Sequence, residues 1–439
     1  MLLTLTDRLQ SIAVRRAPAA AARVFGAMPA AALEALQRAR FRRTLRHAAR
    51  HSPFYREEFR RRGIEVERIQ HPSELGDFYT TGEDLRRHGA EAFTTARGDT
   101  AFETTGTTSS RPKRIIFSNR ELDDIGCASA AALRLVGLRH DDIVVSAFDC
   151  SFWVSPAVLR TALQYIGCFH VEAGKIDPLD FYERARHYRP SAIFGEPSWM
   201  VRLSEIAAER GPWPVRLLFG GGENLTEQAR RAVEHVWNAP LYLNYGQTEA
   251  FGSLGLECRE QQGYHRNDLH FLFEVDSADR TGHGELVYTT LTRHVMPLIR
   301  YRSSDVTRLV NEPCACGLFI RRIGRIRARA DEMVVCGMGN VGPWVFADVL
   351  RDVPVAGDEW QAAVSHDGQR DVIELRAECN TAIDAASVER LVLDALRARF
   401  PDFWRNHEMG LYALHVAVVP GGSLRRARKL SRVVDERQM

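Results

Sequence analysis

Four polar segments carry the residue types that hold phosphate and manage its charge. The first, at 104–113, reads T-T-G-T-T-S-S-R-P-K between two apolar runs. Its hydroxyls and free backbone N–H groups, with Lys113 close behind, make a place for phosphate oxygens. The others are Y-G-Q-T-E at 245–249, Y-R-S-S-D at 301–305 and a charged tail carrying Lys429. One hydroxyl-rich loop alone is also what a plain surface turn looks like. Four segments in this order fit one nucleotide-dependent active site.

The elements that must position them are legible from about residue 141. Apolar strands at 143–148, 169–171, 191–194, 215–219 and 241–245 alternate with helical stretches at 156–165, 178–187, 199–209 and 226–236. That alternation predicts an α/β fold whose mostly parallel sheet is covered on both faces. It sets Gly220, Gly221, Gly222 and Gly246 just past strand ends, where open α/β sheets bind ligands. Residues 1–95 read as largely helical from their Ala, Leu and Arg content. After about 328 the pattern becomes a small α+β domain: strand 333–336, helix 343–350, strands 360–365 and 372–377, helix 385–400 and strand 411–419. A large N-terminal domain over 1–328 and a small one over 329–439 are therefore expected, joined by the charged stretch 325–331.

Composition bounds the partners. A chain of 439 residues exceeds what one core serves. Its formal net charge of +3 is too small to imply nucleic-acid binding. No run has the apolar length that spans a bilayer, and residues 1–16 interrupt their apolar positions with charges and lack a cleavage signal. The expectation is a cytoplasmic protein with neither a nucleic-acid nor a membrane partner. Five of the eight cysteines stand alone in sequence, as buried free thiols do. Cys314 and Cys316 form a C-x-C before Gly317, and Cys258 precedes His265 by seven residues. That is a metal-site pattern more than a disulfide framework.

The order T-T-G-T-T-S-S-R-P-K, F-G-G-G-E, N-Y-G-Q-T-E, Y-R-S-S-D, A-R-A-D-E-M and terminal Lys429 resembles the adenylate-forming superfamily. Length and cysteine segments look most like its phenylacetate–coenzyme A ligase branch. The resemblance implies that Thr104, Thr107, Thr108 and Lys113 bind the phosphates of ATP, and that Gly221, Gly222 and Glu223 pass along the adenine. It implies that the Tyr245 ring lies against the base, that Thr248 lies near the α-phosphate and that Glu249 holds Mg²⁺. Asp305 matches the aspartate on the ribose hydroxyls, Arg329 the arginine of the hinge motif, Asp331 the hinge itself and Lys429 the catalytic lysine. Ser109 stands where the family has glycine, one extra residue precedes Pro112, and Ala328 and Glu332 replace a glycine and an aspartate of the hinge motif.

The implied acid pocket includes Phe148, Asp149, Trp153, Trp199 and Tyr245, whose flat walls suit an aryl or arylalkyl acid. Cys258, His265, Cys314 and Cys316 offer three thiolates and one imidazole, a set suited to a closed structural Zn²⁺. The activity implied is ATP-dependent formation of an acyl-adenylate, then of a thioester with coenzyme A. Two alternatives stay open: transfer to an amine, a carrier-protein thiol or another nucleophile, and a zinc-braced scaffold without catalysis. Relatives are usually homodimers, so a homodimer is expected.

Overall fold

The computed structural model describes residues 17, 20, 24, 27–104, 112–329, 333–351, 353, 359–379, 385–420, 423–424 and 432–437. They group into two compact units. The first takes the chain to Gly106, Arg111–Gly174 and Tyr242–Arg325; the second takes Lys175–Leu241 together with Ile326–Met439. The cut after Arg325 falls at the charged stretch read from the sequence. Segment 175–241, however, groups with the C-terminal part.

In the first unit, helices Ala30–His51 and Pro53–Arg62 meet at Ser52, whose hydroxyl accepts from Tyr55 N at 3.4 Å. Pro53 then occupies the first turn, where a missing N–H costs nothing. The long helix is tied down by Gln37, whose side-chain amide donates to the carbonyls of Asp268 (2.8 Å) and Phe271 (3.0 Å). Strands Thr100–Glu103 and Arg114–Phe117 form an antiparallel hairpin that frames the hydroxyl-rich segment, with Glu103 opposite Arg114. Strands Ile143–Ser146 and Phe169–Glu172 pair in parallel, joined through helix Val154–Ile166. That is the crossover expected from the alternation.

Past 245 the chain turns antiparallel. Strands Leu241–Gln247, Gly252–Leu256, Tyr264–Arg266, Arg322–Ile323 and Leu309–Val310 pair in series. Strands Phe271–Asp276, Gly284–Thr290 and Tyr301–Thr307 form a second antiparallel sheet. The class is α/β, but its sheets are mixed as well as parallel. Several of these strands have only two or three residues, too few for alternation to register in sequence.

In the second unit, strands Ala192–Gly195 and Leu217–Gly221 are parallel, joined by helix Pro197–Arg210. Its C-terminal part is α+β. Strands Tyr412–Pro420, Asp371–Cys379, Trp360–His366 and Val433–Asp435 lie in that order in one sheet. Helices Pro343–Leu350, Ala385–Arg399 and Pro401–Glu408 accompany it. Phe346, Ile373, Leu375, Val392 and Leu396 are fully buried there. Buried Arg437 holds the far strand with Asp371 at 2.7 Å and Asp435 at 2.6 Å.

Candidate active site

The hairpin closes the hydroxyl-rich segment at its neck. Thr104 N donates to the Lys113 carbonyl at 3.0 Å, and Lys113 N to Thr104 Oγ1 at 3.3 Å. Thr107, Thr108 and Ser109 lie outside the described residues, as do Asp331 and Lys429. The Lys113 ammonium leaves the neck and forms an ion pair with Glu249 Oε1. Tyr301 completes this group: its hydroxyl accepts from Lys113 Nζ at 3.3 Å and donates to Glu249 Oε1 at 2.9 Å. Burial raises the Glu249 carboxyl, but the Lys113 ammonium and the hydrogen bonds pull it below its ordinary value.

A second polar group adjoins the first on the same strands. Asp305 Oδ2 accepts from Tyr245 OH and from Gln247 Nε2, each at 2.7 Å. Gln247 Nε2 also reaches the Ser303 carbonyl at 2.9 Å, and its Oε1 accepts from Tyr288 OH at 3.2 Å. Tyr288 and Tyr301 are cross-strand partners with ring centroids 5.4 Å apart. The two tyrosines thus bridge the Glu249 group to the Asp305 group. Thr248 is buried and opens the short 3₁₀ turn Thr248–Ala250 that carries Glu249. Gly246 is obligatory here: a Cβ would stand 1.6 Å from the Gly252 carbonyl oxygen.

Gln247, Tyr288 and Tyr301 escape a sequence reading of the site. Gln247 and Tyr301 sit inside the motifs and could have been found by their polar ends. Tyr288 has no local signal at all.

The residues expected to line an acid pocket divide between the units. Phe148 and Trp153 meet edge to face, centroids 5.8 Å apart at 84°. Asp149 Oδ1 accepts from Ser151 N (2.8 Å) and Ser151 Oγ (2.6 Å), folding its own loop. Glu103 N donates to the Phe152 carbonyl at 2.8 Å, so this loop is fastened to the hairpin of strands Thr100–Glu103 and Arg114–Phe117. Trp199 belongs to the second unit and is fully buried. Its indole N–H donates to the Ile176 carbonyl at 2.8 Å and its ring stands edge-on to Phe181. Those are the contacts of a core residue.

Gly221 ends the strand Leu217–Gly221 in that same unit, and Gly222, at φ +94°, and Glu223 follow it. The buried Glu223 carboxylate accepts Ser198 N at 2.8 Å and the Met338 N–H, and burial pushes its pKa up. Arg329 is half-buried in the short strand Ala328–Arg329.

The cysteine segments also converge. The ligand atoms of Cys258, His265, Cys314 and Cys316 all lie within 4.8 Å of one another. Cys258 Sγ is 3.7 Å from Cys314 Sγ, and Cys316 Sγ is 3.3 Å from His265 Nε2. Thiolates around a tetrahedral zinc stand about 3.8 Å apart, given Zn–S bonds of about 2.3 Å. His265 Nδ1 lies 2.8 Å from the Ile320 carbonyl. That contact requires the proton on Nδ1 and leaves Nε2 to face the sulfurs, the arrangement a ligating histidine needs. Gly317, at φ +86°, closes the turn that lets Cys314 and Cys316 point to one place.

Known proteins resemble the chain in sequence and in fold. A family model described as AMP-binding enzyme matches residues 77–269. A phenylacetate–coenzyme A ligase of Thermus thermophilus is 28% identical, the alignment covering 94% of this chain and 98% of the relative. One of Escherichia coli is 25% identical over 79% of this chain and 82% of its own. Among solved structures, a 2-hydroxyisobutyryl-CoA ligase in complex with 2-HIB-AMP and CoA superposes with a TM-score of 0.76 at 22% identity, covering 94% and 91% of the two chains. At that identity the superposition speaks for the fold, and the sequence relatives and motif residues speak for the branch. The chain thus resembles AMP-binding enzymes over residues 77–269 and phenylacetate–coenzyme A ligases over most of its length.

Proposed function

We propose that the protein activates a carboxylic acid with ATP as an acyl-adenylate and then forms its coenzyme A thioester, releasing pyrophosphate and AMP. The observation that carries this reading is the joined pair of groups, Lys113–Glu249–Tyr301 and Tyr245–Gln247–Asp305. One supplies a cation and a carboxylate for a triphosphate. The other supplies an aromatic ring and an acceptor for a nucleoside.

In the first step the acid's carboxylate attacks the α-phosphorus, a P–O bond forms, and the bond to pyrophosphate breaks. Lys113, with the Thr104, Thr107 and Thr108 hydroxyls, binds the phosphates. Asp305 accepts from the ribose hydroxyls while the Tyr245 ring lies on adenine. Glu249 would hold Mg²⁺ once Lys113 turns from it to the phosphate, and the ion neutralises charge on the phosphate oxygens when bound. Lys429 brings an ammonium beside the α-phosphate and the attacking carboxylate, where negative charge concentrates. In the second step residues 329–439 rotate about Asp331, and the coenzyme A thiol attacks the acyl carbon. The C–S bond forms as the C–O bond to AMP breaks, and the thiol proton leaves to solvent. No side-chain nucleophile is needed, so placement and exclusion of water carry the rate.

The acid is aromatic or arylalkyl in this reading, supported by the Phe148–Trp153 wall. The cysteine–histidine cluster holds a structural zinc with no open position. Acid-dependent pyrophosphate exchange, screened over benzoic, arylacetic and aliphatic acids, tests the first step. AMP release with and without coenzyme A tests the second. Absence of exchange with every acid would overturn the proposal; exchange without coenzyme A-dependent AMP release would overturn the acceptor.

A further inference from the structure

The turn bearing Glu249 is held from beneath by a residue with no place in any motif. Arg293 is only 4% exposed, and its Nη1 donates to the Glu249 carbonyl. Its guanidinium carbon lies 4.0 Å from the centroid of the Phe251 ring and 4.5 Å from that of Phe117. The two rings are themselves 4.0 Å apart. Phe117 ends the strand Arg114–Phe117 that leaves Lys113; Phe251 follows the Thr248–Ala250 turn. One cation therefore clamps the strand that carries the phosphate lysine to the turn that carries the carboxylate.

The arrangement is costly in ways that packing alone would avoid. Phe251 sits at φ +67°, an outlier for a bulky aromatic residue. Arg293 Nε and Nη2 are buried without a hydrogen-bond partner among the described residues. An aliphatic side chain would fill such a space without burying a charge. Glu121 fixes the Arg293 loop from its other side: its Oε1 accepts the backbone N–H of His294 (2.6 Å) and Val295 (3.0 Å). What the clamp secures is the main chain of Glu249 itself.

We infer that Arg293 is a positioning residue that fixes the Glu249 carboxylate as a metal ligand relative to the Lys113 hairpin. The inference rests on the reading of Glu249 as the ligand of a divalent cation beside ATP. With the backbone clamped, the carboxylate can exchange the Lys113 ammonium for a cation without the turn moving.

The test uses the full chain with a nonhydrolysable ATP analogue and Mn²⁺ as the probe, its binding followed by electron paramagnetic resonance. Arg293→Met should weaken Mn²⁺ binding about tenfold or more, while affinity for the analogue measured without metal changes less than about twofold. Arg293→Lys, which restores the cation, should recover part of the loss. Phe251→Leu should give a smaller loss in the same direction, and it decides the question if Arg293→Met does not fold. Glu249→Gln separates the two levels of the argument. If it leaves Mn²⁺ binding at the wild-type value, the metal-ligand reading fails. If it abolishes binding while the Arg293 and Phe251 variants match wild type, only the positioning role of Arg293 is overturned.

Discussion

The Tyr301 hydroxyl donates to Glu249 Oε1 at 2.9 Å while accepting from Lys113. A phenol can do both at once, so one side chain orders a carboxylate and an ammonium around the place proposed for phosphate. Tyr301→Phe keeps the ring and removes the hydroxyl. Acid-dependent pyrophosphate exchange should fall about tenfold and stability by about 1 kcal/mol, measured by exchange assay and urea denaturation.

Lys113→Met should change the pH dependence of stability in a defined direction. In the wild type the Glu249 carboxyl is depressed, so its contribution is present above the ordinary glutamate value and is lost as pH falls through the folded value. Without the ammonium, burial pushes the carboxyl up instead. The variant should lose on the order of 3 kcal/mol at pH 8, with part of the deficit recovered at pH 5. Denaturation at the two values checks the sign; a deficit independent of pH would contradict it.

Asp305 holds two donors on one oxygen and, in the proposed function, the ribose. Asp305→Ala should raise the KM for ATP by about 10–100-fold, the range of a lost charged hydrogen-bond acceptor. Gln247→Leu should do so less, since it removes a support of Asp305 and leaves the acceptor. The KM for the acid should move little in either variant.

Trp153→Leu removes the edge-to-face partner of Phe148. An aryl acid should lose about 3–10-fold in kcat/KM, corresponding to an aromatic pair of about 0.5–1.5 kcal/mol, with the KM for ATP unchanged. Trp199→Leu should instead lower stability, because Trp199 is packed on Phe181 with its N–H already satisfied.

Elemental analysis of the purified protein should find one zinc per chain, lost in Cys316→Ala. Strong chelation should lower the melting temperature without altering the KM for ATP. The expected metal is structural and closed by its four ligands.

The proposed chemistry is legible in contiguous motifs because the residues proposed to meet phosphate and metal are neighbours on one turn. The neck of the hairpin, Thr104 with Lys113, and the 245–249 segment stand out in the sequence for that reason. The α/β alternation between 141 and 245 was legible too, since short apolar runs there alternate with helices long enough to show their period. The antiparallel strands beyond 245 were not: Tyr264–Arg266, Leu309–Val310 and Arg322–Ile323 are too short to show a period, and their partners lie far off in sequence. Trp199 and Trp153 look alike in sequence, an aromatic near a strand end, yet only the first is a fully buried core residue with its indole N–H satisfied.

Residue type and order by themselves determined that a lysine, a glutamate, an aspartate, three cysteines and a histidine were available, and in which motifs. Tertiary structure alone decided that Tyr288 would bridge Glu249's group to Asp305's and that Arg293 would lie beneath the turn. Those partners come from a strand and a loop 40 or more residues away. Their identity is fixed by strand pairing and close packing, which leave no periodic or compositional trace in the local sequence.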